Sequence, residues 1–188
     1  MGNRFLIIVT GRPAAGKSTL AKRLSQELKI PLVSKDEIRE VLFDRLGWDD
    51  RPWAQKLGVV SIDLMYYFAK TQLLSGGSII LDNAFDPEVT TPQIIALQAA
   101  TQAKIIQIIC NAESELLFNR FFERAKKGGR HPGHRDDKVA EPLRGYLARN
   151  HSPKMDLGGL TIELDTTDFS SINYFELSEK IRVYMQAV

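Results

Sequence analysis

Residues 11–19 read GRPAAGKST, and they follow the apolar run FLIIVT at residues 5–10. The stretch matches the pattern G-x-x-x-x-G-K-[ST], and the segment after it, KSTLAKRLSQEL, has the periodicity of an amphipathic helix. A buried strand, a glycine-rich turn and a helix in this order bind phosphate, because backbone N–H groups and the helix N-terminus point at the anion. The sequence therefore predicts a P-loop that binds a nucleotide.

Two side chains of this loop have distinct expected roles. Lys17 is expected to reach the β- and γ-phosphates, and Ser18 to offer its hydroxyl to Mg²⁺. The other loop positions are expected to surround the phosphates: Gly11, Arg12, Pro13, Ala14, Ala15, Gly16 and Thr19. An ordinary strand-to-helix turn with an incidental lysine is the alternative, and the agreement of pattern and placement disfavours it.

Short apolar runs and longer amphipathic segments alternate along the rest of the chain. Strands are predicted at residues 5–10, 31–34, 78–82, 104–110 and 160–165. Helices are predicted at residues 16–29, 35–46, 53–75, 92–102, 113–126, 138–149 and 171–186. The strands are apolar almost throughout, which is typical of a parallel sheet covered by helices on both faces. We therefore expect an α/β fold.

Length and composition limit the possible organisation. A chain of 188 residues with 44% hydrophobic residues suffices for one ordinary core, so we expect a single domain over residues 1–188. The formal net charge of +2 predicts no general attraction to nucleic acid or to anionic membranes. The sequence has no apolar run long enough to span a bilayer and no recognisable signal peptide, and its single cysteine, Cys110, is expected in the core. These features favour the cytoplasm.

The segment SKDEIREVL at residues 34–42 follows the second predicted strand. With the P-loop, it resembles the small P-loop kinases that include phage-type polynucleotide 5'-kinase, chloramphenicol phosphotransferase, gluconate kinase and zeta toxins. The resemblance implies that Asp36 faces an acceptor hydroxyl and accepts its proton, and that Arg39 holds a phosphate or carboxylate of the acceptor. Alternatively, Ser34 and Glu37 form an S-x-x-E capping box, and Asp36 only marks the start of a helix.

The same resemblance implies roles for residues farther along the chain. Asp82, at the end of the third strand, is expected near the metal and its waters, although a simple turn with Asn83 explains it equally well. Arg120 and Arg124 are spaced i, i+4 before a lid at residues 126–137, and the resemblance places one against adenine and the other against phosphate. Solvated helix arginines are the alternative. Arg130 and Arg135 lie in this lid, which its Gly, Pro and charge content predicts to be exposed and mobile.

Three further groups of residues need an interpretation. Asp165 and Thr166 follow the last strand, where the resemblance implies a base pocket and the composition is also that of an ordinary turn. Trp48, Arg51 and Trp53 either stack on an acceptor or anchor their loop. The pair His131 and His134 is not expected to bind a metal, because no Cys or third His lies near.

Taken with the order of these motifs, the resemblance implies a P-loop three-layer sandwich with a five-stranded parallel sheet in the order 2-3-1-4-5 and a mobile lid. It implies an enzyme that uses ATP and Mg²⁺ to phosphorylate a hydroxyl of a small molecule held between residues 35–75 and the lid. A polynucleotide 5'-hydroxyl kinase is the first alternative, although nothing indicates a broad basic face for nucleic acid. The second alternative is an ATP-binding switch without kinase activity. The sequence names neither the acceptor nor an oligomeric state.

Overall fold

The computed structural model describes residues 3–136, 140–149 and 154–187. These residues form five strands: β1 (Phe5–Gly11), β2 (Leu32–Ser34), β3 (Ile79–Asp82), β4 (Lys104–Asn111) and β5 (Leu160–Asp165). They also form seven α-helices: α1 (Lys17–Leu28), α2 (Lys35–Leu46), α3 (Arg51–Leu74), α4 (Pro87–Thr101), α5 (Ser114–Lys126), α6 (Ala140–Arg149) and α7 (Tyr174–Ala187).

The five strands form one parallel sheet in the order β2-β3-β1-β4-β5. This is the predicted order, so the predicted fold class is confirmed. The register places Val9 beside Asp82 and Gly11 beside Cys110, which brings the carboxyl ends of β1, β3 and β4 to one edge. In open parallel sheets, ligands bind outside this edge, where the strand order reverses.

Helices cover both faces of the sheet. On β1, Ile7 and Val9 face a cluster that includes residues of α1, α5 and α7, whereas Leu6 and Ile8 face a cluster that includes residues of α3 and α4. Because both faces are buried, all seven residues of β1 are inaccessible to solvent, which explains the unbroken apolar run in the sequence. Cys110 lies in the first cluster, as expected for a small apolar side chain.

Helix α4 begins five residues earlier than the sequence predicted. Asp86 is its N-cap and accepts a hydrogen bond from the backbone N–H of Glu88, and Pro87 occupies the first helical position. Residue 92, the predicted start, is a proline that lies inside the helix. The prediction of a start at residue 92 was therefore wrong, because the capping residue Asp86 and Pro87 begin the helix about one and a half turns earlier.

The structure does not describe the junction between the predicted lid and the predicted sixth helix. Residue 137, the last of the predicted lid, and residues 138 and 139, the first of the predicted sixth helix, lie outside the described residues.

Among residues 3–136, 140–149 and 154–187, no helix combines the length and apolar character that a bilayer crossing requires.

Candidate active site

A crevice of about 550 Å³ opens at the carboxyl edge of the sheet. Its lining comes from the P-loop, the start of α2, the end of β3, α5, α6 and the segment 130–136. The structure brings ten of the predicted site residues to its walls: Pro13, Ala14, Gly16, Lys17, Ser18, Thr19, Asp36, Arg39, Asp82 and Arg124. Gly11, Arg12, Ala15, Arg120, Asp165 and Thr166 do not line it.

The P-loop holds a backbone conformation that requires glycine at its end. Gly16 has φ 81°, and a Cβ there would overlap the ring of Phe169. Lys17 Nζ folds back and donates to the carbonyl oxygen of Arg12 at 2.9 Å. Burial lowers the pKa of Lys17, and the negative charge of Asp82 opposes this shift. The loop itself holds this ammonium group. Lys17 is therefore well placed to exchange the carbonyl oxygen for an anionic ligand.

The Arg12 side chain points away from the crevice. Its guanidinium donates to Ser114 Oγ at 2.8 Å, to the carbonyl oxygen of Leu147 at 3.2 Å and to the carbonyl oxygen of Ala112. These partners belong to α5, α6 and the end of β4, so the guanidinium ties the P-loop to three neighbouring elements. Of Arg12, only the backbone therefore contributes to the phosphate-binding loop.

Ser34 does not form the capping box that the sequence offered as an alternative. It is the N-cap residue of α2, but its side chain makes no capping hydrogen bond. Ser34 Oγ donates instead to Asp82 Oδ2 at 2.9 Å, and Glu37 pairs with Lys22 at 2.8 Å. The capping-box interpretation was therefore wrong, because both side chains have partners on other elements.

Asp36 lies in the first turn of α2 and lines the crevice. Its Oδ2 accepts a charge-assisted hydrogen bond from Arg130 Nη2, and its Oδ1 is 3.3 Å from Lys35 Nζ. Burial works to raise the pKa of Asp36, but the charges of Arg130 and Lys35 outweigh it and the pKa is lowered. The carboxylate is therefore ionised at neutral pH and can accept a proton.

Asp82 ends β3 directly across from the P-loop helix. Its side chain is buried, and its Oδ1 has no hydrogen-bond partner among the described residues. Burial raises the pKa of Asp82, and the nearby Ser18 hydroxyl and Lys17 ammonium counteract the shift. An unsatisfied buried carboxylate oxygen close to a hydroxyl suits a Mg²⁺ ion, which takes one or two protein oxygens and completes its shell with phosphate and water. The described residues hold no cluster of three or more His, Cys, Asp or Glu that would form a site by protein ligands alone.

Arg39 of α2 and Arg124 of α5 also line the crevice. Arg39 donates to the carbonyl oxygen of Ala54 at 2.8 Å, and Arg124 Nη2 lies 3.5 Å from Asp136 Oδ2. Their Nε atoms are buried without a hydrogen-bond partner among the described residues. Burial lowers the pKa of both guanidinium groups, which still remain charged at neutral pH. Both therefore keep donor capacity for an anion.

Arg120 lies apart from Arg124, outside the crevice. It donates to the carbonyl oxygens of Thr166 and Thr167, at 2.8 Å each, and its guanidinium stacks 4.2 Å from the ring centroid of Phe169. The structure thus joins Arg120 and Thr166, which were both predicted near a base, and places beside them Phe169, which the sequence did not single out.

The side chain of Asp165 bonds within its own turn, and that of Thr166 bonds to the end of β4. Asp165 Oδ1 accepts from the backbone N–H of Thr167 at 2.8 Å, and Thr166 Oγ1 donates to the carbonyl oxygen of Asn111 at 2.9 Å. Asp165 is exposed and lines a separate groove at the ends of β4 and β5. Their side chains therefore serve the turn that the sequence offered as the alternative.

The aromatic loop before α3 is anchored to the protein. Trp53 Nε1 donates to the carbonyl oxygens of Leu46 and Gly47, each at 3.2 Å, and Trp48 packs edge-on against His131. Neither tryptophan lines the crevice, and neither does Arg51. Of the two interpretations that the sequence left open, these contacts favour anchoring.

Several crevice residues were not singled out from the sequence. They are Lys35, Asn83, Ala84, Phe121, Asp136, Pro142, Leu143 and Tyr146. Residues 131–136, predicted to be exposed, instead pack on α2: Gly133 is buried and the His134 side chain is 3% exposed. The prediction of an exposed segment was wrong here, because the charges and the glycine that suggested solvent exposure meet complementary groups on α2.

Residues 6–149 match the protein-family model described as an AAA domain. The match covers more than half of the chain, so the chain belongs to this family of P-loop domains. An uncharacterized protein of Mycobacterium tuberculosis is 29% identical over 151 residues, which are 77% of this chain and 29% of the relative. The chain thus spans less than a third of the length of the curated relatives it matches.

Two solved structures of similar fold are described as kinases. A candidate kinase from Chloroflexus aurantiacus J-10-fl shares 34% identity and a TM-score of 0.88, covering 100% of this chain and 98% of that chain. A gluconokinase from Sinorhizobium meliloti 1021 has the same fold at 11% identity and a TM-score of 0.52, covering 100% of this chain and 94% of that chain. The protein is therefore a P-loop kinase-like protein, and its family binds nucleotides.

Proposed function

We propose that this member of the P-loop kinase-like family is a kinase that transfers the γ-phosphate of ATP to a hydroxyl of a small molecule. The observation that carries the proposal is the position of Asp36. Its carboxylate lines the same crevice as Lys17 and Ser18 of the P-loop. Its lowered pKa keeps it ionised, which a group that accepts a proton must be.

The proposed transfer is a single displacement at phosphorus. The acceptor oxygen bonds to the γ-phosphorus as the bond between that phosphorus and ADP breaks, and the hydroxyl proton passes to Asp36. Such reactions need positioning and charge stabilisation more than covalent help from the protein. ADP leaves with the electron pair of the broken bond.

The cationic residues of the crevice supply that stabilisation. In this proposal, Lys17 Nζ exchanges the carbonyl oxygen of Arg12 for phosphate oxygens. Arg124 approaches the phosphates from α5. Arg39 lies one helical turn beyond Asp36, where it suits a phosphate or carboxylate of the acceptor. Ser18 and Asp82 would hold Mg²⁺, which when bound neutralises the charge that develops on the phosphates.

A screen for stimulated ADP release tests the proposal. The protein is incubated with ATP and Mg²⁺ and a panel of hydroxyl compounds: sugars, sugar acids, nucleosides, nucleotides, amino alcohols and an oligonucleotide with a 5'-hydroxyl. At least one compound is expected to stimulate ADP release, and Asp36→Asn should reduce that stimulated rate about 10²-fold or more while ATP affinity is retained. Glu37→Gln, a carboxylate change one residue away, is the matched control.

The competing roles give different results. A nucleotide-dependent switch would bind ATP without stimulation by any compound and would be insensitive to Asp36→Asn. Stimulation confined to the oligonucleotide, weakened strongly by salt, would instead indicate a polynucleotide 5'-kinase.

A further inference from the structure

One face of α2 docks residues 130–136, which we call the docked segment. Three carboxylates lie on this face at intervals of four residues: Asp36, Glu40 and Asp44. His134 Nε2 lies 2.9 Å from Glu40 Oε1, and His131 Nε2 lies 3.1 Å from Asp44 Oδ1. The third carboxylate, that of Asp36, meets Arg130. Each of the three carboxylates on the helix face thus has a nitrogen-bearing side chain of the docked segment within hydrogen-bonding distance.

An aromatic contact fixes the position of the docked segment. Phe43 is 1% exposed and stacks on His131 at 5.2 Å between ring centroids, with His134 edge-on at 5.5 Å. Gly133 lies so close to this ring that a Cβ would come within 2.5 Å of Phe43 Cδ2. Because Phe43 is buried and the backbone touches it, Arg130 at the start of the segment is held over the first turn of α2.

Arg130 divides its guanidinium between two carboxylates. Nη2 donates to Asp36 Oδ2, and Nη1 lies 3.1 Å and 3.3 Å from the two carboxylate oxygens of Asp136. The side chain is 21% exposed. Because Asp136 pairs with the other terminal nitrogen, Nη1, Arg130 can release Asp36 without losing all of its ion pairing.

We propose that Arg130 is a positioning residue that caps Asp36 until the acceptor displaces it. The inference rests on the proposed function, in which Asp36 accepts the proton of the attacking hydroxyl. Water that enters the crevice offers the same chemistry: its oxygen bonds to the γ-phosphorus, the bond to ADP breaks, and its proton passes to Asp36. The cap occupies the Oδ2 atom that would receive this proton, so ATP hydrolysis is suppressed until an alcohol with better contacts enters.

Hydrolysis without an acceptor tests the cap directly. ADP release from ATP and Mg²⁺ is measured in MOPS, a buffer without hydroxyl groups. Arg130→Met should raise this rate about tenfold, because Asp36 becomes free to orient water. Arg130→Lys keeps the charge and should stay closer to the wild-type rate. Arg135→Met, in the same segment but bonded to the carbonyl oxygen of Asp49, should change the rate by no more than about twofold.

Two measurements separate a cap from simple loosening of the segment. Asp36→Asn combined with Arg130→Met should return hydrolysis to the wild-type level or below, since the gain passes through Asp36. Arg130→Met should also shift the acid limb of the pH–rate profile to higher pH, because a cation beside the carboxylate is lost. The other charged groups that act on Asp36 remain in both proteins: Lys17, Lys35, Arg39, Asp82, Arg124 and His134.

The outcomes distinguish this inference from the proposed function. If Asp36→Asn abolishes alcohol-stimulated turnover but Arg130→Met and Arg130→Lys hydrolyse ATP at the wild-type rate, only the cap is wrong. A raised rate that persists in the double variant would also overturn the cap. If no alcohol stimulates turnover, the proposed function fails instead.

Discussion

Ser34 Oγ donates to Asp82 Oδ2 at 2.9 Å, and this bond joins the start of the proposed acceptor helix to the proposed metal residue. Because Ser34 occupies one carboxylate oxygen, the other oxygen, Oδ1, is the one left without a partner among the described residues. The bond therefore orients Asp82 with its free oxygen available to the P-loop side of the crevice.

Asp82→Asn should separate stability from nucleotide binding. The change removes a buried charge whose pKa is raised mainly by burial, so the melting temperature without nucleotide should stay level or rise. The Mg²⁺ concentration needed for half-maximal nucleotide binding should increase at least about tenfold. Calorimetry and a Mg²⁺ titration with ATP measure the two effects. A variant with unchanged Mg²⁺ dependence would remove Asp82 from the metal site.

Lys17→Met should reduce ATP turnover about 10²-fold, because the variant loses the ammonium that faces the transferred phosphate. The folded state should survive, since the hydrogen bond that Lys17 makes within the described residues is to the carbonyl oxygen of Arg12, and methionine has similar length. Lys22→Met is the matched control on the same helix, where the lysine pairs with Glu37 at the surface. Equal losses in both variants would contradict a specific role for Lys17.

Gly16→Ala should destabilise the protein by about 1–2 kcal/mol for the left-handed backbone alone. The new methyl group would also overlap the ring of Phe169. Chemical denaturation of Gly16→Ala, Phe169→Ala and the double variant forms a cycle that isolates the overlap. The double variant should recover part of the loss. Strictly additive losses would show that the two residues are not in contact.

His134 should make the protein less stable in acid. Burial, followed by the charge of Arg130, lowers the pKa of His134 below its ordinary value of 6.5. The unfolded chain therefore binds a proton at a higher pH than the folded one does, and stability falls as the pH decreases below about 6.5. His134→Gln, which can still donate to Glu40, should show a flatter dependence of melting temperature on pH between about 7 and 5. An identical slope in both proteins would contradict this assignment.

The fold was predictable because its signals are local. The runs at Phe5–Gly11 and Lys104–Asn111 are buried on both faces, and the sequence placed both strands within one residue of their observed ends. The predicted start of α4 was too late because the capping residue Asp86 and Pro87 at the first helical position were not recognised as the beginning of the helix.

The candidate site was predictable only where a motif is continuous in sequence. Asp36 and six of residues 11–19 line the crevice as predicted. Arg130 was placed in the lid, but its contact with Asp36 was not predicted, because this contact joins residues 94 positions apart and depends on how the docked segment packs against α2. The capping-box alternative for Ser34 was wrong for the same reason. A short-range capping pattern is present, but the Ser34 hydroxyl donates to Asp82, which is 48 residues away.

The most direct test of the central proposal is a crystal structure with ADP, Mg²⁺ and aluminium fluoride, which together imitate the transferring phosphate. We expect the Asp36 carboxylate to lie within hydrogen-bonding reach of the position opposite ADP, where the attacking oxygen sits, with Lys17 against the fluoride group. If Asp36 instead points away from that position and no other carboxylate of the crevice reaches it, phosphoryl transfer to a hydroxyl as proposed here is contradicted.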